Sequence, residues 1–256
     1  MCELYGLSSS RPLAGREMPL GEFRARGGAR ADNPDGWGIA WRGASGFQLA
    51  KEPLPAWNSA RFEACSGTLY SDLVIAHVRK ARFPPINNMN NTHPFLRDCC
   101  GKHWAFAHNG LVPEIVGLEI ANRQRVCQPY GETDSEFAFC HLLSHVTRHL
   151  PELDADADWL ARLGSISELI AEHGKFNFLL SDGDYLVAYG HDRLHYLESA
   201  GGPDDVVLVA TEPLGGDAAW TAFAPGELRI YRAGVSVGRM TTHPPVPSID
   251  SEHFKT

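Results

Sequence analysis

A chain of 256 residues with 43% hydrophobic and 21% charged residues carries enough apolar material for a full-sized core, and its composition is neither disordered nor collagen-like. Its net charge of −8, with no cluster of Lys and Arg, argues against a surface that tracks phosphates and so against nucleic acid as a partner. Six cysteines (Cys2, Cys65, Cys99, Cys100, Cys127, Cys140) are too few and too irregularly spaced for a disulfide scaffold, which favours a reducing compartment.

The chain opens on a short, mostly apolar stretch, Cys2 to Ser8, that reads as a strand. It lacks the basic stretch and long apolar run of a signal peptide, and no later run is long enough to span a membrane, so the expected location is the cytosol. Gly36 to Trp41 and Phe47 to Ala50 flank a Gly-containing turn and predict a hairpin. Asp72 to Val78 and Trp104 to Ala107 predict buried strands, each ending at polar residues where a sheet edge meets a cleft. Helical spacing then takes over from Thr133, with Phe137, Cys140, Leu143 or Ser144, and Thr147 on one face. A second helix carries Trp159, Leu163, Ile166 and Ile170. Strands return at Phe176 to Leu180, Tyr185 to Tyr189, Val206 to Ala210 and Leu228 to Tyr231.

An order of strands, helices and strands argues for an α+β layered domain rather than a doubly wound parallel sheet. Pro151 to Asp158 is acidic and linker-like, and 241–256 is a proline-containing tail; neither marks a domain boundary, so 2–256 reads as one domain.

Each chemically suggestive motif has a plain structural explanation beside it. Cys2 follows an initiator Met of the kind that aminopeptidases remove. A free α-amine beside its thiol would put base and nucleophile on one residue, whereas an apolar cysteine in a first strand needs no function. Arg79, after His77-Val78, suits a carboxylate gripped through parallel hydrogen bonds, or an ordinary surface ion pair. His108-Asn109-Gly110 offers an amide and a backbone N–H to one oxyanion, or an Asn-Gly turn. Thr133-Asp134-Ser135-Glu136 matches a capping box, with Asp134 free to hold an ammonium only if the other motifs share its cleft. His93 sits in a loop before a proline and means little alone. Twelve histidines form no His-Glu-x-x-His pattern, the glycines form no phosphate loop or dinucleotide fingerprint, and neither metal nor cofactor is implied.

Taken in order, Cys2, Asn33-Pro-Asp-Gly-Trp-Gly38, His77-Val-Arg79, Asn91-Thr-His-Pro-Phe95, His108-Asn-Gly110 and Thr133-Asp-Ser-Glu136 resemble the glutaminase domain of class II glutamine amidotransferases, which are N-terminal-nucleophile hydrolases. The start Met-Cys-Glu-Leu is most similar to the small stand-alone bacterial members. The resemblance implies a four-layer αββα sandwich with Cys2 as nucleophile and its amine as base. It also implies Asn109 and Gly110 as the oxyanion pair, Arg79 on the substrate α-carboxylate and Asp134 on its α-ammonium, with His93 and His108 as further substrate-binding candidates. The implied substrate is glutamine or a γ-glutamyl small molecule. A related stand-alone branch removes γ-glutamyl groups from ergothioneine-pathway intermediates, and a non-catalytic glutamine-binding subunit is a further alternative. A chain used up by the glutaminase fold leaves no room for a synthase domain, so an ammonia acceptor would be a separate partner.

Overall fold

Period-2 alternation sets the first strand. In β1 (Glu3–Ala14), Tyr5 and Leu7 pack to one side while Leu4 packs to the other, as the pleat requires. The computed structural model describes residues 1–82, 85–147, 156–199, 204–216 and 219–244. After β1 come α1 (Leu20–Ala25), the hairpin β2 (Trp37–Gly43) and β3 (Gly46–Glu52), α2 (Ala60–Thr68) and β4 (Tyr70–Val78). The second half holds β5 (Phe95–Cys99), β6 (Lys102–Leu111), α3 (Ile115–Ala121), α4 (Asp134–Val146) and α5 (Asp156–Ala171). It continues with β7 (Lys175–Ser181), β8 (Leu186–Gly190), β9 (His195–Ser199), β10 (Val206–Ala210), β11 (Thr221–Ala222), β12 (Glu227–Arg232) and β13 (Val235–Thr241).

Two antiparallel sheets result. One is seven-stranded in the order β11-β9-β10-β1-β4-β2-β3, and the other six-stranded in the order β13-β12-β8-β7-β6-β5. Three apolar clusters match the interfaces of a four-layer stack. Leu4, Ile75, Ala107, Leu179 and Val209 fill the space between the sheets. Tyr5, Phe23, Trp37 and Phe62 pack the first sheet against α1 and α2. Phe106, Phe139, Leu163 and Phe178 pack the second against α4 and α5. The αββα sandwich expected from the resemblance is therefore the fold.

The structure redraws several local expectations. Helices α1 to α3 and strands β5, β9, β11 and β13 carry too short or too irregular a pattern to be read from periodicity. Asn109-Gly110 is not a turn: β6 runs on through it to Leu111, with Asn109 opposite Asn177 and Gly110 opposite Phe176. Thr241 closes β13, and buried Thr242 bonds Tyr189 and Gly226, so the chain stays within the fold beyond the expected start of the tail. The acidic stretch from Pro151 enters α5 at Asp156, and 151–155 and 245–256 lie outside the described residues. Cys127 and Cys140 are bonded to each other, a single crosslink in a chain whose cysteine spacing argued against a disulfide scaffold. No helix among the described residues is long and apolar enough to cross a membrane.

Candidate active site

The pleat decides what meets at the strand ends. Cys2 precedes β1 in phase with Leu4, so it faces the second sheet. Because Glu3 pairs with Val78, Cys2 lies beside the end of β4, where Lys80 N–H donates to its sulfur at 3.2 Å. On β4, Leu73, Ile75 and His77 face inward, and Arg79 follows in the same phase. On β6, Ala105, Ala107 and Asn109 face the first sheet, while Phe106 and His108 face the helices. Asn109 therefore meets the cysteine across the inter-sheet gap and donates its side-chain N–H to the Cys2 carbonyl at 2.5 Å.

Beside Cys2 opens a cavity of about 330 Å³. Of the residues singled out in the sequence, Cys2, Arg79, His93, His108, Gly110 and Asp134 line it. They come from segments up to 132 positions apart (134 − 2), so only folding assembles them. The side chain of Asn109 lies behind the lining, held by Cys2 O and, at 3.5 Å, by the Thr211 hydroxyl. Thr211, which no sequence signal marks, also takes the Leu4 N–H at 2.8 Å and so anchors β1 just past the cysteine.

Arg79 is buried, and among the described residues its acceptors all lie on the Nη1 edge. Its Nη1 donates to the Ile86 carbonyl at 3.2 Å and to Asn87 Oδ1 at 3.0 Å. Asn87 in turn donates to Asp35 Oδ1 at 3.1 Å, and Asp35 Oδ2 accepts the Ala81 N–H. Asp35, inside the Asn33-to-Gly38 motif, thus orients the arginine through Asn87. A guanidinium fixed on one edge presents the other to a carboxylate, a geometry that an ammonium cannot reproduce. We expect Arg79→Lys to raise KM by about tenfold or more while thermal stability barely changes, and Asn87→Ala to do the same more weakly. Steady-state kinetics with melting curves check both, and an unchanged KM in Arg79→Lys removes the arginine from the binding role.

Asp134 opens α4, and its carboxylate accepts Val112 N–H at 2.7 Å and Ser135 N–H at 2.9 Å. Only half of the expected capping box forms. Thr133 Oγ1 accepts the Glu136 N–H, but Glu136 turns away and accepts from Arg97, Tyr130 N–H and Gly131 N–H. That buried pair pins the turn leading into Asp134, and such carboxylates are expensive to leave unpartnered.

The histidines are neutral wall elements. His108 Nε2 donates to the Lys175 carbonyl at 3.1 Å, which leaves Nδ1 to accept from the Ser135 hydroxyl at 2.8 Å; both nitrogens are already engaged. His77 and His93 contact each other, Nε2 to Nδ1, at 3.0 Å. Burial, then the charge of Arg79, pulls the His77 pKa down to about 3, and burial lowers those of His93 and His108 as well. These groups stay unprotonated in the fold but titrate near 6.5 in the unfolded chain, which therefore binds more protons between those values. The contribution of His77 is complete above about pH 6.5 and is lost as pH falls towards 3, and those of His93 and His108 are lost in the same direction as pH falls. Each proton adds a slope of about 1.4 kcal/mol per pH unit. Urea midpoints from pH 7 to 4.5 should fall less steeply in His77→Gln than in the parent, and parallel curves contradict this.

Gly110 is dictated by space. A Cβ there would overlap the Lys175 carbonyl and press on His108 Nε2, and its φ is +156°. Gly110 is thus the residue that lets β6 pass between Lys175 and the cavity.

Two antiparallel sheets between helical layers, with the first strand delivering a cysteine to a cavity at their edge, define the fold of N-terminal-nucleophile hydrolases. Residues 1–200 match the family model for class II glutamine amidotransferases, and the chain belongs to that family. It is 34% identical over 260 residues to "Putative glutamine amidotransferase YafJ" of Escherichia coli, covering 93% of this chain and all of that one. It is 28% identical over 190 residues to the gamma-glutamyl-hercynylcysteine sulfoxide hydrolase of Mycobacterium tuberculosis, covering 73% of this chain and 71% of the relative. The crystal structure of a predicted glutamine amidotransferase from Pseudomonas aeruginosa superposes with a TM-score of 0.70 at 29% identity, over 93% of this chain and all of that one.

Proposed function

We propose that the chain hydrolyses the side-chain amide of glutamine, or of a γ-glutamyl compound, through a thioester on Cys2. The observation that carries this is the gathering of Cys2, Arg79, Gly110 and Asp134 around one cavity, which sets a nucleophile beside a buried guanidinium and a carboxylate able to read an amino-acid head group. After removal of Met1, the thiolate attacks the amide carbon, and the Gly110 N–H holds the oxyanion together with the Asn109 N–H that gives up its long 3.5 Å contact to Thr211. The α-amine of Cys2 passes the thiol proton to the departing ammonia or amine, then activates the water that releases glutamate. Arg79 takes the α-carboxylate and Asp134 the α-ammonium, while His93 and His108 shape the wall around them. The nitrogen product either leaves or passes to a separate synthase.

Burial pushes the Cys2 thiol above its ordinary range, and the Lys80 N–H, the chain amine and Arg79 offset this in part. A form retaining Met1 should therefore alkylate at Cys2 only as pH rises through the alkaline range. A free amine at the same residue, with pKa of about 7.7 to 8, should carry the half-maximal rate towards neutrality. Rates of labelling against pH for the two forms test this, and superimposed profiles exclude the amine as base.

The deciding experiment treats the purified protein with a glutamine-mimicking diazo-ketone and reads the N-terminal residue and the labelled site by mass spectrometry. Label on Cys2 of a chain lacking Met1 is expected. An unlabelled chain that retains Met1 overturns the proposal and favours a glutamine-binding subunit with little turnover.

The similarity to the mycobacterial hydrolase favours a second reading, in which the amide belongs to a γ-glutamyl conjugate of a thiol or amine. The same residues serve it. Comparing kcat/KM for glutamine with that for γ-glutamyl conjugates separates the two.

A further inference from the structure

We propose that Asn177 is a positioning residue for the amide reaction, holding the peptide between Asn109 and Gly110 so that the Gly110 N–H points at the forming oxyanion; this rests on the amidohydrolase reading above. Asn177 is buried on β7, directly opposite Asn109 on β6, and stands behind the cavity rather than among the residues that line it.

The partners of Asn177 fix which end of its amide faces Asn109. One atom receives the main-chain N–H groups of His191 at 2.8 Å, Asp192 at 3.1 Å and Arg193 at 3.3 Å, and an atom that takes three donors must be the oxygen, Oδ1. The nitrogen therefore lies on the other side, where it donates to the Asn109 carbonyl at 3.1 Å and to Asp192 Oδ1 at 2.8 Å. Both are acceptors, since the Asp192 carboxylate is paired with Lys175 Nζ at 2.8 Å. All five bonds agree on one orientation.

A trans peptide points its C=O and its N–H to opposite sides, and His93-Pro94 is the one cis bond among the described residues. The Asn109 carbonyl is drawn towards β7, so the Gly110 N–H of the same peptide points away from β7. On that side β5 pairs with β6 only as far as Phe106, which leaves no strand beside Gly110 among the described residues, and Gly110 borders the cavity. The ladder between β6 and β7 ends at the next pair, Leu111 and Lys175, so the side-chain bond secures the peptide plane where the sheet stops. Turning that peptide over would aim a carbonyl at the oxyanion in place of a donor. It would also strip the buried Asn177 amide of one acceptor, which disfavours the turn.

Asn177→Asp keeps an oxygen for the three main-chain donors but takes the N–H from the Asn109 carbonyl. It should lower kcat for glutamine by about tenfold or more and leave KM within about threefold, the pattern of a contact made only in the transition state. Iodoacetamide supplies the readout that a loosened fold would move and a turned peptide would not. The Cys2 sulfur–carbon bond forms as the carbon–iodine bond breaks and iodide leaves, with no oxyanion made, so alkylation of Cys2 followed by mass spectrometry should keep the parental rate. Because the new carboxylate faces Asp192, the double variant Asn177→Asp/Asp192→Asn restores the local charge and lets position 192 donate instead; it should still show the loss in kcat, whereas Asp192→Asn alone, which keeps the Asn177 donor, should lose less. Parental kcat in either variant carrying Asn177→Asp, or alkylation slowed as much as turnover, overturns the proposal. Absence of glutamine and γ-glutamyl amide hydrolysis in the parent chain lacking Met1 overturns the amidohydrolase reading and the inference with it.

Discussion

Cys2→Ala is expected to abolish amide hydrolysis while the protein melts within about 0.5 kcal/mol of the parent. The side chain precedes β1, and among the described residues its sulfur hydrogen-bonds to the Lys80 main chain, through an N–H at 3.2 Å and a carbonyl at 3.4 Å, so its removal breaks no ion pair. Without the thiolate no thioester forms, and an oxyanion site with no nucleophile beneath it has nothing to stabilise. Product release by a coupled glutamate or ammonia assay, paired with a melting curve, gives the result. Residual turnover close to that of the parent would remove Cys2 from the chemistry and with it the proposed mechanism.

Gly110→Ala is the second change of large effect, and it acts on fold and chemistry together. The new methyl falls on the Lys175 carbonyl, a main-chain atom that cannot swing aside, so β6 and β7 must separate where Gly110 faces Phe176. We expect a loss of about 3 kcal/mol or more in stability. The same shift moves the Gly110 N–H and drags Asn109 from Cys2, and displacing one oxyanion donor costs about 100-fold or more in kcat. Urea unfolding and kcat measured on the folded fraction separate the two losses. A variant as stable and as active as the parent contradicts the close approach.

Much of the candidate site is legible in the linear order of residues, because the chemistry needs particular side chains that do not substitute for one another. A second residue carrying a thiol, an arginine after an inward-facing strand and an acid at a helix start are each weak signs, and their order carries the family. Other parts are silent in the chain. Thr211 and Asn177 are ordinary polar residues in sequence. In space, Thr211 holds β1 beside Asn109, while Asn177 donates to the Asn109 carbonyl and gathers the main-chain N–H groups of residues 191 to 193. Asp35 looks like part of a glycine-rich turn until Asn87 connects it to Arg79. His77 reads as the companion of Arg79, and only the approach of the loop before β5 pairs it with His93.

By itself the sequence determined the layered α+β class, the main strands, the long helices and the candidate set from Cys2 to Asp134, since pleat alternation, helical period and side-chain chemistry are local properties written residue by residue. Tertiary structure alone decided that Asn109-Gly110 continues a strand, that Asn109 faces Cys2 while His108 turns to Ser135, and that one edge of Arg79 is already occupied. Those facts depend on which strands become neighbours and in what register. Pairing across 107 positions between Cys2 and Asn109, or 207 between Leu4 and Thr211, is fixed by the burial of both sheet faces at once and leaves no trace in any local window.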